Sequence, residues 1–328
     1  MLYFMGYTDN EGNWTGNFTR AMRNELNRRK IEYIELPPFD WYTANPPIEY
    51  YLSINSKKDD IWLFGWAQSP AMDYLKDKPG RKYGIVVGST ASPFEPANLW
   101  GTSSWCNERF RLGQYDKIYA VSNWCSNVIT KAYPELQGRV EVTGFPIEYG
   151  IYDPYKQIKK IDNLVIFNQR LSTEKLHIVE VELSRRLVAK GFKVQHLSGT
   201  SREELAKQSS TLEALLKIMD NSGVEFIHNT VKETYHTNLA KATIAVTTSI
   251  ADMLPNSMLE AIYLNLVPVA PRNLCFPEFI HKDNLYTPYD LDEMVEVIIK
   301  RPIREHPIMQ FSKELVVEKY LKSMNVIN

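Results

Sequence analysis

The chain has 328 residues, 44% of them hydrophobic, enough for two soluble domains of about 150 residues with separate cores. Lys and Arg total 38 against 39 Asp and Glu, and the first 150 residues carry 16 basic and 17 acidic side chains, so neither half has the positive excess of a strong nucleic-acid binder. Three cysteines (Cys106, Cys125 and Cys275) without metal-ligand spacing, no positively charged apolar leader and no apolar run of about 20 residues point to a soluble protein of the reducing cytoplasm.

Leu2 to Met5 reads as a buried strand, followed by a glycine-bearing loop from Gly6 to Gly16 and a helix from about Asn17 to Lys30. Gly12 and Gly16 let backbone approach a ligand closely, but the loop matches neither a dinucleotide fingerprint nor a Walker loop. The helix carries Phe18, Met22 and Leu26 on one stripe and several arginines around it, a solvated surface helix with at most peripheral membrane contact. Strands are expected at Ile31 to Leu36, Asp60 to Phe64, Lys82 to Val87, Lys117 to Val121 and Arg139 to Thr143, with a helix capped by Ser122 or Asn123. The loops Gly65 to Gln68 and Gly88 to Ala91 lie at carboxyl ends of parallel strands, where open α/β sheets bind ligands. All seven tryptophans precede residue 125 and all six histidines follow residue 176, as expected of two domains with different tasks.

Ile151 to Ile161 reads as a linker, and Asn163 to Phe167 starts a second α/β series. A helix to about Lys190 places Leu176, Val179, Leu183 and Leu187 toward a core, and a strand follows at Phe192 to Leu197. Next come one helix from Ser201 to Met219, a strand at Val224 to Ile227, a helix from Val231 to Ala242, and strands at Thr243 to Thr248 and Val267 to Ala270. Asp290 opens one more helix as a cap, and a last helix covers about Ser312 to Met324. Alternating strands and helices imply parallel sheets.

Two stretches carry chemistry. In Asp252-Met-Leu-Pro-Asn-Ser-Met-Leu-Glu260, Pro255 suits a first helical turn, the N–H groups of Asn256 and Ser257 can point at an anion, and Glu260 follows one turn later on the same face. Such a carboxylate can accept two hydrogen bonds from a ribose diol while the helix start takes phosphate, although capping and dipole complementation give a plainer account of the same residues. In Asn168-Gln-Arg-Leu-Ser-Thr-Glu-Lys175, Arg170 and Lys175 follow a strand end, where two cations can grip a diphosphate and neutralise a leaving group.

Together these stretches resemble the retaining glycosyltransferases of family 4 (glycosyl transferases group 1). Arg170-Leu-x-x-Glu174-Lys175 matches that family's Gly-Arg-Leu-x-x-Glu-Lys pattern with Gln169 in place of Gly. Asp252-x-Leu-Pro-Asn-x-x-Leu-Glu-Ala261 matches its Glu-x7-Glu element with Asp for the first Glu. The resemblance covers Asn163 to about Ile299 and implies a GT-B fold, with two Rossmann-like domains of mostly parallel sheets facing across a cleft. It implies an acceptor-binding domain over 1–155, a nucleotide-sugar domain over 156–305, and a C-terminal helix in 306–328 crossing back to the first domain. Arg170, Lys175 and Asp252 would be catalytic, the first two on the donor diphosphate and Asp252 on a sugar hydroxyl. Glu260 would hold the ribose, Asn256 and Ser257 the phosphate, Val231 would border the base, and Gly16 would approach the donor. No metal and no cofactor are implied, with a UDP-sugar as the expected substrate and a glycan or small hydroxylated acceptor as partner. The family's N-terminal-domain histidine has no counterpart before His177; Trp66, Ser89 and Thr90 are the candidates for its place and, with Trp14, for the acceptor site. Alternatives are a sugar-nucleotide or glycan binder without turnover and a phage-type enzyme glycosylating modified DNA bases. A dehydrogenase lacks its glycine fingerprint.

Overall fold

The computed structural model describes residues 1–7, 14–39, 43–95 and 107–327, with backbone alone for residues 14 and 15. Two compact units emerge, one of Met1–Glu148 with Met309–Asn328, the other of Tyr149–Ile308.

The first unit is built on β1 (Leu2–Met5), α1 (Trp14–Arg28), β2 (Tyr33–Leu36), α2 (Ile48–Ser53), β3 (Ile61–Phe64), α3 (Met72–Leu75), β4 (Arg81–Val86), α4 (Glu108–Leu112), β5 (Lys117–Ala120), α5 (Asn123–Ala132) and β6 (Val140–Val142). Its six strands form one all-parallel sheet in the order β2-β1-β3-β4-β5-β6. The short apolar runs of β1 and β3 are buried throughout, as strands covered on both faces must be. Phe18, Met22 and Leu26 of α1 are fully buried, each contributing roughly 1.5–3 kcal/mol of apolar burial. Ser122 caps α5 by accepting the Cys125 N–H at 3.0 Å.

The second unit opens with a 3-10 stretch, Tyr149–Tyr155. It continues through β7 (Leu164–Phe167), α6 (His177–Val188), β8 (Lys193–Ser198), α7 (Arg202–Gln208), α8 (Ser210–Asp220), β9 (Val224–His228), α9 (Lys232–Lys241), β10 (Ile244–Val246), α10 (Asn256–Tyr263), β11 (Val267–Pro271), β12 (Leu285–Tyr286) and α11 (Leu291–Lys300). Its sheet is also all-parallel, in the order β12-β11-β10-β7-β8-β9. After β7 the chain runs outward through β8 and β9, then returns to place β10 on the other side of β7. The carboxyl ends of β7 and β10 are therefore the topological switch point of the sheet, the place where open α/β sheets hold ligands. Val165, Phe167, Leu183, Leu187, Ile244 and Val246 belong to the core beneath it.

The last helix, α12 (Lys313–Ser323), returns to the first unit. Its Glu318 pairs with Arg29, the residue after α1, at 3.1 Å, and Tyr320 stacks on Tyr119 and donates to the Gly144 carbonyl at 2.9 Å. Among the described residues no helix is long and apolar enough to cross a membrane.

Several boundaries differ from those expected. Helix α1 begins at Trp14, so Gly16 lies inside its first turn rather than in a loop. The expected helix from Ser201 to Met219 is two, because Ser209 adopts extended backbone and caps the second by accepting the Thr211 N–H at 3.1 Å. Leu176, expected on the helical stripe, precedes α6 in a left-handed conformation, φ 46°, while Leu183 and Leu187 are buried as expected. Pro255 stands at the cap position of α10 with extended backbone, one residue before the helix it was expected to open. Helices α2, α3 and α4 were not foreseen in the sequence.

Gly84, inside β4, leaves no room for a side chain. A Cβ there would lie 2.7 Å from the Tyr115 ring and 2.9 Å from the Ala67 Cβ, and Tyr115 is held by its hydroxyl on the Ala67 carbonyl at 3.0 Å. Gly84→Ala should therefore cost about 1–3 kcal/mol through overpacking, read as a lower urea midpoint with unchanged slope. Gly150→Ala, whose Cβ meets nothing within 4 Å, is the near-neutral control.

Candidate functional site

The turn after β7 runs through Asn168, Gln169 and Arg170 to a 3-10 turn at Thr173–Lys175, and the left-handed Leu176 then redirects the chain into α6. Lys175 is buried, and its ammonium donates to both Asp252 oxygens at 2.8 Å and to the Ser249 hydroxyl at 3.1 Å. An ammonium has three donors, and these three acceptors match them one for one. The two strand ends of the switch point are thus joined by an ion pair whose side chains are only 10% and 15% exposed.

Arg170 points differently. Its side chain is 56% exposed and pairs with the buried Glu174, both Nε and one terminal nitrogen reaching Oε1 at 3.0 and 2.9 Å. Burial alone would raise the Glu174 carboxyl pKa, but the charges of Arg170 and Lys175 outweigh it and hold the group below the usual carboxylate range.

Helix α10 starts without a side-chain cap, and among the described residues the N–H groups of Asn256 and Ser257 meet no acceptor. Asn168 fixes this start: its amide donates to the Ser257 carbonyl at 2.7 Å and to the Tyr235 hydroxyl at 3.3 Å. Tyr235, on α9, donates in turn to Glu260 Oε2 at 3.0 Å, and Tyr152, from the 3-10 stretch, donates to Glu260 Oε1 at 3.0 Å. Burial, reinforced by the carboxylate charge, pushes both tyrosine hydroxyls well above the ordinary tyrosine range, so they remain donors at neutral pH. Val231 precedes α9 without capping it and is 53% exposed.

A second polar cluster lies behind the turn. Glu180 is fully buried between two imidazoles, His177 Nδ1 and His196 Nδ1 each lying 2.7 Å from one of its oxygens. His177 Nε2 lies 3.1 Å from the Ser172 N–H and 3.0 Å from the Arg170 carbonyl, so the cluster supports the backbone that carries Arg170. The three ligand atoms lie within 4.8 Å of one another, the one such metal-capable group among the described residues. The sequence reading missed it, although His177-x-x-Glu180 has the spacing of neighbours on one helix face.

In the first unit Ser89 is fully buried and donates to Glu108 Oε1 at 2.5 Å, while the Thr90 hydroxyl and N–H reach Oε2 at 2.9 and 2.8 Å. These hydroxyls clamp the loop after β4 onto α4. Trp66 is 7% exposed, at the carboxyl end of β3, and Gly16 is buried in α1. The Trp14 side chain and Gly12 lie outside the described residues, as do Trp41, Trp100, Trp105 and Cys106. Tyr152, Tyr235, Asn168, Ser249 and Glu108 escaped the sequence reading; each acts through a partner distant in sequence, and no local pattern marks it.

No model of a known protein family matches the chain. Solved structures do. A UDP-forming α,α-trehalose-phosphate synthase from Burkholderia xenovorans superimposes with a TM-score of 0.67 at 11% identity, over 99% of this chain and 98% of that one. A trehalose-6-phosphate protein from E. coli bound with UDP-2-fluoro glucose gives 0.65 at 10% identity, over 100% and 99%. The fold is GT-B. TarM from S. aureus, in complex with fondaparinux, alpha-GlcNAc-glycerol and UDP, shares it with a TM-score of 0.62 at 16% identity over 85% of this chain, which spans 58% of the TarM chain. Within this GT-B chain, Lys175, Asp252 and the α10 start lie at the switch point of the second sheet, with Glu260 one helical turn along. Ser89, Thr90 and Trp66 belong to the other unit.

The Glu180 cluster has a pH signature. Burial raises the carboxyl pKa, but the His196 charge and the hydrogen bonds from both imidazoles outweigh it and hold the group down at about 2, against 4.5 for the free side chain. A depressed folded-state pKa contributes stability that is complete above about pH 4.5 and lost as the pH falls toward 2. The stability gap between the parent protein and Glu180→Gln should narrow as the pH falls from about 4.5 toward 2, followed by urea unfolding at stepped pH.

Proposed function

We propose that this protein is a glycosyltransferase that moves a sugar from a nucleoside-diphosphate sugar, a UDP-sugar in the first instance, to a hydroxyl of a glycan or small acceptor. The transfer proceeds with retention of configuration and without a metal. The observation that carries this reading is the meeting, at one switch point, of a buried cation–carboxylate pair and a helix start with bare N–H groups, with a buried carboxylate one helical turn along. The GT-B fold shared with UDP-bound proteins supports it.

In the proposed site the diphosphate lies over the α10 start, where the Asn256 and Ser257 N–H groups and the helix dipole favour negative charge. All three Lys175 donors are already engaged, so a phosphate oxygen gains Lys175 by displacing Ser249 or one Asp252 oxygen. The released Asp252 oxygen can then accept from a sugar hydroxyl. As the bond between the sugar anomeric carbon and the phosphate oxygen breaks, negative charge grows on the β-phosphate and Lys175 stabilises it. The acceptor oxygen attacks the same face and its proton passes to the departing phosphate, so no protein nucleophile is required. Arg170 would swing from Glu174 to the diphosphate. The closed Lys175–Asp252 pair also fits a protein that binds sugar nucleotides without turnover, and release of free sugar or product by the purified chain separates the two.

Two measurements test the reading. Calorimetry in EDTA should show UDP, GDP or ADP binding; binding seen only after Mg²⁺ or Mn²⁺ is added would overturn the metal-free site. Lys175→Ala should lower donor turnover about a hundred- to a thousandfold with a much smaller change in the Michaelis constant, since the charge it meets grows chiefly in the transition state. A higher Michaelis constant at unchanged turnover would assign Lys175 to ground-state binding alone.

A further inference from the structure

The Glu260 carboxylate is an unusual anion. It is 5% exposed, and among the described residues no cation pairs with it; its neighbour His236 has its pKa lowered, chiefly by burial. What holds it are the two tyrosine hydroxyls, one on each oxygen, both at 3.0 Å. The direction of these bonds is fixed. The Asn168 amide nitrogen only donates, so Tyr235 accepts from it and must turn its own proton toward Glu260. A carboxylate has about four lone-pair sites and the tyrosines use one on each oxygen, which leaves accepting capacity on each.

We propose that Tyr152 and Tyr235 are positioning residues that lock this carboxylate as a two-pronged acceptor for a vicinal diol, making the site selective for ribonucleoside over deoxyribonucleoside diphosphates. The inference rests on the functional reading above, extended so that the ribose of the nucleotide lies on Glu260, one turn along α10 from the diphosphate. A cis-diol presents two O–H donors next to each other, matching the two remaining acceptors, and it brings no charge. That suits a buried carboxylate already stabilised by neutral donors. Neither tyrosine touches the ligand; each acts by denying the carboxylate rotation. Tyr152 belongs to the 3-10 stretch with which the second unit begins, and its ring packs edge-on against His236 at 5.1 Å, so the clamp is held from outside α10 on both sides.

The test is a cycle between protein and ligand, run by calorimetry on the full chain in EDTA with UDP and 2′,3′-dideoxy-UDP, and with the GDP and ADP pairs if UDP does not bind. The parent protein should prefer the diol ligand. In Tyr152→Phe that preference should shrink about tenfold, the worth of one hydrogen bond to a charged group, while affinity for the dideoxy ligand stays constant. Tyr235→Phe should behave alike and supplies the answer if the first variant fails to fold. A variant that loses thermal stability yet keeps the parent's preference would make the tyrosines merely structural and overturn the inference, as would equal losses for both ligands. If no nucleoside diphosphate binds the parent protein, the functional reading itself falls and this inference with it.

Discussion

Parallel pairing of β7 with β10 is the constraint on which the second unit depends. Because the chain leaves β7 in one direction and comes back on its other flank, the loops after these two strands face each other with no strand between them. Residues 77 positions apart, Lys175 and Asp252, thereby close an ion pair that neither loop could make alone. A pair so little exposed gains nothing certain in stability, because the cost of desolvating both charges rivals their attraction. In the proposed function its value lies in leaving a pre-shaped cation that a phosphate can claim.

The turn that carries Lys175 is held from behind. Leucine at φ 46° is a conformation that costs on the order of 1–3 kcal/mol, and it is over-determined here by the His177 ring against the Ser172 and Arg170 backbone and by Glu180 beneath. Such strain at the mouth of a sheet is the usual companion of a binding loop. In the first unit the same job falls to Glu108, which ties down the loop after β4 without strain.

Much of the fold could be read from the chain because buried parallel strands appear as short continuous apolar runs. Leu2 to Met5, Ile61 to Phe64 and Leu164 to Phe167 needed no context to be recognised. The residues of the two loops and of α10 were legible in position for a related reason: Arg170, Lys175, Asp252 and Glu260 sit in local patterns with characteristic spacing. What stayed hidden is what depends on distance. Tyr152 looked like part of a linker, since nothing near it in sequence announces a carboxylate 108 residues away. Ser209 and Pro255 were misplaced because competing local hydrogen bonding and a proline's ψ decide where a helix begins, and periodicity is blind to both.

Helix α10 has a further consequence as a measure of length. Its open N–H groups and its carboxylate are separated by a single turn, four residues at about 1.5 Å each, so the two ends stand roughly 6 Å apart along one rigid axis. In the proposed function one end accepts charge and the other accepts a neutral diol. A ligand must then offer both features at that separation to satisfy both ends, and a free phosphate or a free sugar offers only one. In that function the helix works as a ruler, and discrimination follows from its pitch more than from the strength of either contact.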